Sequence, residues 1–255
     1  MVAPKPKTIV EELFDSINLY ISESNYLESD SFQIKKLLRD ADKLMGPDPA
    51  QANIAKAMIY QLCGDIEKVY YHIRIANTLP ICSRSNLLLN SSISLSNLFM
   101  YEDAQYHYNL ITEPNDSERS FINEAGRGCL SLIKLMELMT KAREMNLHFD
   151  DKDVELTTRA TDVLKKHRIV DSDLAKYAGI FGEVLRENKL MIKTRFPDVI
   201  VGDVSNGWYP ETVFITFKVN TDVTTAARLY KESVQRLLSN FKSIPDAVHF
   251  SIEAY

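Results

Sequence analysis

One helix–turn–helix sequence occurs twice in this chain, and the two copies lie 35 residues apart. The first copy, GDIEKVYYHIRIANTLP, spans residues 64–80, and the second, FMYEDAQYHYNLITEP, spans residues 99–114. The shift places His72 on His107. Self-similarity at a period of about 34 residues is typical of arrays in which each helix pair buries its apolar face against the next pair. The repeat therefore predicts a helical array, an architecture that mostly provides surfaces for other molecules.

The turn of the first copy carries the residue types that a tight helix–helix connection requires. Gly64 permits the left-handed conformation that closes one helix, and the side chain of Asp65 can cap the next helix. Over residues 50–115 the chain resembles a tetratricopeptide repeat. The positions that carry the resemblance are Tyr60 in the first helix, Gly64 and Asp65 at the turn, Ala76 in the second helix and Pro80 after it. The resemblance implies a stack of helix pairs whose first helices line a concave face.

Each copy departs from the repeat pattern at one place. Phe99 and Met100 stand at the turn where glycine and aspartate are usual, and Val69 stands where the family has a small alanine. Ala104 keeps that alanine in the second copy, and we expect both small residues to be buried where the two helices cross. Residues 8–46 are a candidate for a degenerate first repeat. An unrelated helical bundle with two similar hairpins is the alternative fold.

The hydrophobic periodicity predicts an α+β protein that is mostly α. Glycine is scarce, with 8 residues in 255, which favours helices. From about residue 190 the apolar period changes from 3.6 to 2, which indicates strands, and Asn206-Gly207 is a hairpin signal. The predicted segments are strands at 190–196, 199–204 and 212–219, a helix at 223–241 and a strand at 248–252. We therefore expect a helical repeat array over residues 1–170 and, over residues 171–255, a small antiparallel sheet of β-β-β-α-β order.

A single long helix is predicted over residues 117–145. Gly126 and Gly128 lie inside it, where each costs about 1 kcal/mol relative to alanine but allows close helix packing. Apolar residues nearly encircle this helix, and a helix that is apolar all round is a buried one. We therefore expect the helices that begin near Asp153 and Asp173 to cover it, so that the array and the C-terminal part pack as one body without a flexible linker.

Charge and cysteine usage restrict the partners and the compartment. The formal net charge is −5 and no block of the sequence is basic, so we do not expect nucleic acid as a partner. The basic run at 165–168 is interpreted as the solvated end of a helix, and a nucleic-acid-binding regulator is the second alternative function. The three cysteines share no CxxC spacing, and no apolar run reaches 18 residues. We therefore expect a cytoplasmic protein without disulfides and without a membrane partner.

The resemblance places a candidate binding surface on the first helix of each pair. The residues predicted to face this groove are Gln51, Ile54, Met58, Gln61, Leu62, Asn86, Leu89, Ile93 and Asn97. The set contains no Lys or Arg to clamp a terminal carboxylate, so the expected partner is an amphipathic helix or an extended segment of another protein. The alternative is that the C-terminal part of the chain covers this face. Trp208 and Tyr209, just after the hairpin signal, are further candidates for a protein interface.

Catalytic and metal-binding constellations are weakly represented. His72 and His107 stand one repeat apart, and packed helix layers are separated by about 10 Å, which is too far for one shared ion. Asp198, Asp203 and Glu211 lie on or beside predicted strands, and carboxylates on a sheet can hold Mg²⁺ for an enzyme acting on nucleotides or nucleic acid. No phosphate loop, GxSxG or HExxH motif accompanies them. The sequence therefore favours a non-catalytic adaptor, chaperone-like or regulatory protein, with no metal and no cofactor.

Overall fold

The computed structural model describes residues 9–21, 25–80, 83–192, 196–202 and 211–255. Within these ranges the chain is mostly helical and ends in a three-stranded sheet, which confirms the α+β, mostly α fold class. The elements are α1 (Ile9–Ile21), α2 (Phe32–Lys43), α3 (Pro49–Gln61), α4 (Ile66–Thr78), α5 (Arg84–Asn97), α6 (Tyr101–Asn109), a 3₁₀ turn (Asp116–Glu118), α7 (Arg119–Gly128), α8 (Leu132–Glu144), α9 (Asp151–Lys166), α10 (Asp171–Glu187), β1 (Asp198–Val201), β2 (Val213–Val219), α11 (Val223–Asn240) and β3 (Val248–Ala254).

Local capping side chains fix where the central helices begin. Asp48 accepts a hydrogen bond from the Gln51 N–H at 2.9 Å and thereby caps α3. Asp65 caps α4 through the Lys68 N–H at 3.1 Å, as the sequence predicted. A side-chain oxygen at this position satisfies one of the N–H groups that the first turn of a helix leaves without a partner.

Three helix pairs close with the same turn. Gly64, Phe99 and Leu130 follow α3, α5 and α7, and they have φ angles of 69°, 59° and 59°. In each turn the N–H of the next residue bonds to the carbonyl four residues before the positive-φ residue, at 3.1, 2.9 and 2.9 Å. This is the Schellman closure, which satisfies the free carbonyls at a helix end. The same closure also follows α8, α9 and α10, at Asn146, Arg168 and Lys189. The packing of α7 against α8, and not the turn alone, makes these helices a further pair after the two that the sequence repeat indicates.

The prediction of one continuous helix over residues 117–145 is therefore wrong. Helix α7 ends at Gly128, and the first turn of α8 is capped by a residue that is distant in the sequence. The Asp171 carboxylate accepts the N–H groups of Ile133 and Lys134 at 3.0 Å each. The residues near 130 in the sequence do not include this cap, and the apolar periodicity continues across the turn. Local sequence therefore predicts one uninterrupted helix. Gly126 does allow close packing, since a Cβ there would lie 2.5 Å from the Tyr108 hydroxyl oxygen.

The helix pairs stack in a way that is compatible with a helical repeat array. The first helices α1, α3, α5 and α7 contact one another in succession, while α4 and α6 pack against α3 and α5. Val69 and Ala104 are both fully buried, which confirms the expectation from their equivalent positions. Small side chains are required there because the second helix of each pair crosses close to the first.

The sheet is mixed, which corrects the prediction of a purely antiparallel sheet. The strand order is β1-β2-β3, with β1 antiparallel to β2 and β3 parallel to β2. Parallel neighbours need a crossover, and α11 supplies it. The strand predicted at 190–196 is reduced to isolated bridges of Leu190 with Asn25 and of Ile192 with Val219 among the described residues. The predicted hairpin turn at Asn206-Gly207 lies outside the described residues.

Helix α10 joins the sheet to the helical array. The Phe181 ring stacks on Phe217 of β2 at 5.8 Å and on Phe250 of β3 at 5.4 Å. From the array side, the rings of Phe99 and Tyr101 reach Phe217 at 6.5 and 6.4 Å. All five aromatic side chains belong to one buried cluster. Residues of the helical pairs and of the sheet thus share one core among the described residues, while the division of the chain into two parts at residue 170 stays a prediction.

No helix within the described ranges combines the length and the apolar character that crossing a bilayer requires.

Candidate functional site

The first helices of the array surround a cavity of about 230 Å³. Its lining residues come from α1, α3, α5 and α7, so four successive helices contribute to one concave surface. Every lining residue falls between positions 14 and 124. The described C-terminal residues therefore do not line this cavity, which speaks against the alternative in which they cover the groove.

Helix α5 supplies the polar side of the cavity. Asn86, Asn90, Ile93 and Asn97 line it, and their spacing of four, three and four residues places them on one face of the helix. The rest of α5 is enclosed as well, because residues 87–97 are all buried. The helix therefore directs its leucines into the cores on either side and a row of amides toward the cavity.

Apolar side chains form the opposite wall. Phe14 and Ile21 come from α1, Met58 from α3 and Phe121 from α7. Ile21 and Met58 belong to the buried core that joins α1, α2 and α3. These packed residues hold the wall in place, so the cavity is a pre-formed feature with an apolar wall and an amide wall.

The charges of the described lining residues do not favour an anion site. Glu124 is the single charged side chain among its described lining residues, and neither Lys nor Arg lines it. Sites for drug-sized molecules enclose about 300–1,000 Å³, so the volume of about 230 Å³ is small for a cofactor. The dimensions suit a single large apolar side chain.

Two of the amides carry a polar atom without a hydrogen-bond partner. The Asn90 Nδ2 donates to the Asn86 carbonyl at 2.9 Å and to the Asn86 Oδ1 at 2.8 Å. The Asn90 Oδ1 and the Asn97 Nδ2 have no partner among the described residues, although each residue is only 4% exposed. A buried polar group without a partner costs about 1–3 kcal/mol. These two atoms are enclosed within the wall of the cavity, so they add to the cost of burying α5.

The structure brings five of the predicted groove residues to this cavity and leaves the others elsewhere. Those that line it are Gln51, Met58, Asn86, Ile93 and Asn97. Ile54, Leu62 and Leu89 are buried in the neighbouring apolar cores. Gln61 is also fully buried, away from the cavity, and its amide atoms have no partner among the described residues. Trp208 and Tyr209 lie outside the described residues.

Several lining residues were not predicted from the sequence, although a local signal for one of them was present. Asn90 follows Asn86 by one helical turn and therefore had to share its face. Phe14, Ile21 and Phe121 line the cavity from helices outside the two recognised copies. Their inward direction depends on how α1 and α7 pack, which local periodicity does not determine.

The surroundings of the two equivalent histidines, His72 and His107, indicate packing roles and not metal binding. His72 Nδ1 lies 2.8 Å from Asn53 Oδ1, and its ring stacks on Tyr60 at 5.4 Å. Burial lowers the pKa of His72 and of His107 below the ordinary histidine value, so both are neutral near pH 7. No group of three or more His, Cys, Asp or Glu side chains with metal-binding geometry occurs among the described residues.

The carboxylates that the sequence suggested for an enzyme site form separate ion pairs. Asp198 forms an ion pair with Lys218 at 2.6 Å, and Glu211 forms one with Lys166 at 3.5 Å. Asp203 lies outside the described residues. The described sheet therefore holds these two carboxylates against different cations and does not present them together.

The two thiols within the described residues are also poorly suited to nucleophilic chemistry. Burial raises the pKa of Cys63 and of Cys129 to about 11. The thiolate is the reactive form of cysteine, and both groups are protonated at neutral pH.

Comparison of the chain with models of known protein families, with curated proteins and with solved structures gives no match.

Proposed function

We propose that this protein is a non-catalytic adaptor, chaperone-like or regulatory protein that binds another protein through the cavity face of a tetratricopeptide-like array. The observation that carries the proposal is the row of amides on α5, Asn86, Asn90 and Asn97, which lines one side of a cavity between four helices. Amide side chains both donate and accept hydrogen bonds, so such a wall is suited to the main chain of a partner. The apolar wall opposite them supplies contact area for the same partner.

The chemistry of the cavity supports a protein partner over a substrate. Its described lining residues include no histidine, no cysteine and no cation, so they contain no nucleophile–base pair and no charge clamp for a phosphate. Amide and apolar side chains together are suited to a peptide, which presents main-chain hydrogen-bonding groups beside apolar side chains. The three cysteines without disulfide spacing support action in the cytoplasm.

The proposal is tested with a variant that removes one amide from the cavity wall while preserving the fold. Asn97→Leu replaces a buried polar group by an apolar one of similar size, and such a change is close to neutral or stabilising for the fold. We expect this variant to be at least as stable as the wild type and to lose its partner. Asn109→Leu makes the same chemical change at an exposed position of α6 and serves as the matched control.

The measurement is affinity capture from the source cell with quantitative mass spectrometry, using the three proteins at equal concentration. A partner retained by the wild type and by Asn109→Leu, but lost with Asn97→Leu, supports the proposal. Identical sets of bound proteins for all three would refute a role for the cavity. Thermal unfolding of each variant shows whether the fold is unchanged.

A further inference from the structure

Strand β3 is an edge strand, and alternate residues along it have backbone groups without a partner among the described residues. It runs parallel to β2, and the hydrogen bonds of a parallel pair involve every second residue of a strand. The Val213 N–H bonds to the Ala247 carbonyl at 2.9 Å, and the Tyr255 N–H bonds to the Val219 carbonyl at 3.0 Å. The odd-numbered residues of β3 therefore bond to β2, and the backbone groups of the even-numbered residues from Phe250 onward point away from it.

A groove of about 510 Å³ lies along the end of this edge. Its described lining residues come from α11 and β3 and none from β2, so the groove lies on the side of β3 that faces away from β2. Ile252 and Ala254 line it. The Tyr230 ring of α11 lies 6.5 Å from Phe181 in the core and 6.3 Å from His249, so α11 covers the preceding part of the edge. The open part therefore consists of Ile252 and Ala254.

Helix α11 forms an apolar wall of the groove. Val223, Ala226, Ala227 and Tyr230 line it, and their spacing of three, one and three residues places them on one face of the helix. The two alanines are small, so they leave room between the helix and the strand. Val223 is 76% exposed although its side chain is apolar. A chain added beside β3 covers this side chain and pairs with the open edge.

We infer that an extended segment of another protein binds in this groove as a fourth strand, antiparallel to β3. Its main chain exchanges about four hydrogen bonds with Ile252 and Ala254. Successive side chains of a strand point to opposite faces of a sheet. The residues opposite Ile252 and Ala254 therefore point toward α11, and the residue between them lies beside Glu253. This inference goes beyond the proposed function, because the groove and the cavity of the array share no lining residue.

Glu253 determines the charge of the middle residue of the segment. Glu253 is exposed, and its neighbour on β2, Lys218, is bonded to Asp198 at 2.6 Å. An opposite charge directly across an antiparallel pair stabilises the pair, and a like charge destabilises it. The segment therefore carries Lys or Arg beside Glu253, with an apolar residue on either side to contact α11. The occupant is an internal segment with an apolar–basic–apolar pattern.

A second copy of this chain is disfavoured at the same edge. Two-fold pairing of two β3 edges brings both α11 helices to the junction, because each helix borders its own edge. The paired strands lie about 4.8 Å apart, whereas packed helices need about 8–10 Å between their axes. Strand β3 also contains no Lys or Arg to place beside Glu253.

Amide hydrogen exchange of the free, full-length protein tests whether the edge is open. We expect the N–H groups of Ile252 and Ala254 to exchange at least about tenfold faster than those of Ser251 and Glu253, which bond to β2. Slow exchange of Ile252 and Ala254 in the monomer would show that the chain itself covers the edge. Protection that increases with protein concentration would show that a second copy covers it, and either result would overturn the inference.

A phage-displayed library of random heptapeptides held between flanking sequences tests the occupant. It is selected on the wild type and on Ala227→Trp, which fills the groove from an exposed position of α11. Gln235→Trp, at an exposed position of α11 outside the groove, is the matched control. We expect apolar–basic–apolar peptides to be enriched on the wild type and on Gln235→Trp but not on Ala227→Trp. Equal enrichment on all three would overturn the inference.

An enriched peptide is then synthesised and added to the protein. It should slow the exchange of Ile252 and Ala254 by about tenfold or more and change that of Ser251 little. Glu253→Lys should lower its affinity by about two- to fivefold, and a peptide with Glu in place of the basic residue should reverse this preference. Asn97→Leu should bind the peptide as the wild type does. Binding that leaves the exchange of Ile252 and Ala254 unchanged would overturn the inference and leave the proposed function standing.

Discussion

Gly64 and Phe99 occupy equivalent positions of the two repeat copies, and both adopt the positive φ angle that the turn requires. Both have positive φ, 69° and 59°, which glycine adopts freely and other residues adopt at a cost of about 1 kcal/mol or more. The Phe99 ring is 2% exposed and contacts Tyr101 and Phe217. Burial of an aromatic ring is worth about 3–5 kcal/mol relative to alanine. The ring therefore outweighs the strain of the backbone that carries it.

The close approach of Phe99 to α10 leads to a prediction for two glycines of that helix. A Cβ at Gly182 would lie 2.1 Å from the Phe99 Cβ, whereas a Cβ at Gly179 meets nothing within 4 Å. We expect Gly182→Ala to lower the free energy of unfolding by about 3 kcal/mol. Gly179→Ala, the matched control, should raise it by about 0.5–1 kcal/mol because alanine favours a helix. Urea unfolding followed by circular dichroism measures both.

A double-mutant cycle shows whether the two residues are in contact. Phe99→Gly removes both the Cβ and the ring beside Gly182, so Gly182→Ala should cost less in that background than in the wild type. We expect a coupling free energy of about 1 kcal/mol or more. Additive effects of the two substitutions would contradict the observed approach of the turn to α10.

Asp171 predicts a pH dependence of stability. Burial raises its pKa from 3.8 to about 6, while the N–H groups of Ile133 and Lys134 partly oppose the rise and nearby Glu137 adds to it. The folded protein therefore holds this proton more tightly than the unfolded chain. Between pH of about 4 and 6 the contribution of Asp171 to the free energy of unfolding falls as the pH rises, by at most about 3 kcal/mol.

The Asp171→Asn variant has no carboxylate to titrate at this position. Its comparison with the wild type therefore gives the contribution of Asp171 to the pH dependence of stability. We expect the stability of the wild type relative to this variant to be greater at pH 4 than at pH 7, as measured by urea unfolding at several pH values. A difference in the free energy of unfolding that is constant from pH 4 to pH 7 would show that Asp171 titrates normally in the folded protein.

At the scale of the elements, the crossing of each helix pair tolerates only small side chains. Val69 and Ala104 are fully buried, so Ala104→Leu should overpack the crossing of α5 and α6 and cost about 1–3 kcal/mol. Ala227→Leu is the control, since Ala227 is exposed on α11 and accepts the larger side chain without a clash. Thermal unfolding of both variants checks the expectation. An unchanged midpoint for Ala104→Leu would count against the repeat alignment.

Elements with local signals were predictable, and elements fixed by distant residues were not. The caps at Asp48 and Asp65 lie beside the helices they start, so the sequence locates α3 and α4. The start of α8 depends on Asp171, so the turn at Leu130 was missed. The parallel pairing of β2 and β3 is decided by which edge of β2 the chain meets after α11, and strand periodicity contains no such information.

In the candidate site, too, the residues with a local sequence signal were predictable and those placed by tertiary packing were not. Asn86 and Asn97 were expected to face the groove because they lie on one helix with a known face. Phe14 and Phe121 reach the cavity through the packing of α1 and α7, which only the tertiary arrangement specifies. The amide wall was therefore predictable in part, and the apolar wall was not.

At the scale of the whole molecule, the array and the sheet share their largest core. Phe99 and Tyr101 of the array lie in the same buried cluster as Phe181 and the strands. The Arg186 guanidinium donates to the Leu98 carbonyl at 2.8 Å, and Gln105 Nε2 donates to the Asp171 carbonyl at 2.8 Å. Polar groups at the ends of α5 and α10 are thus satisfied across the junction, which makes each part dependent on the other.

This dependence predicts the behaviour of the fragment containing residues 1–146. The fragment lacks α9, α10 and the sheet, and it exposes apolar side chains that are at most 2% exposed in the whole chain. These side chains are Phe99, Tyr101, Leu130 and Leu132. It also loses the Asp171 carboxylate that caps α8. Contiguous apolar surface of this kind drives association.

We expect the 1–146 fragment to be insoluble or self-associating at concentrations where the whole chain is not, as measured by size-exclusion chromatography with light scattering. Replacing Phe99 and Leu132 with glutamine within the fragment should reduce the association, because it removes exposed apolar area without changing the length of the chain. Glutamine substitutions at Leu19 and Leu110, which are already exposed in the whole protein, are the matched control and should have little effect on the association. A soluble, monomeric and cooperatively folded 1–146 fragment would show that the array completes its core without α9 and α10.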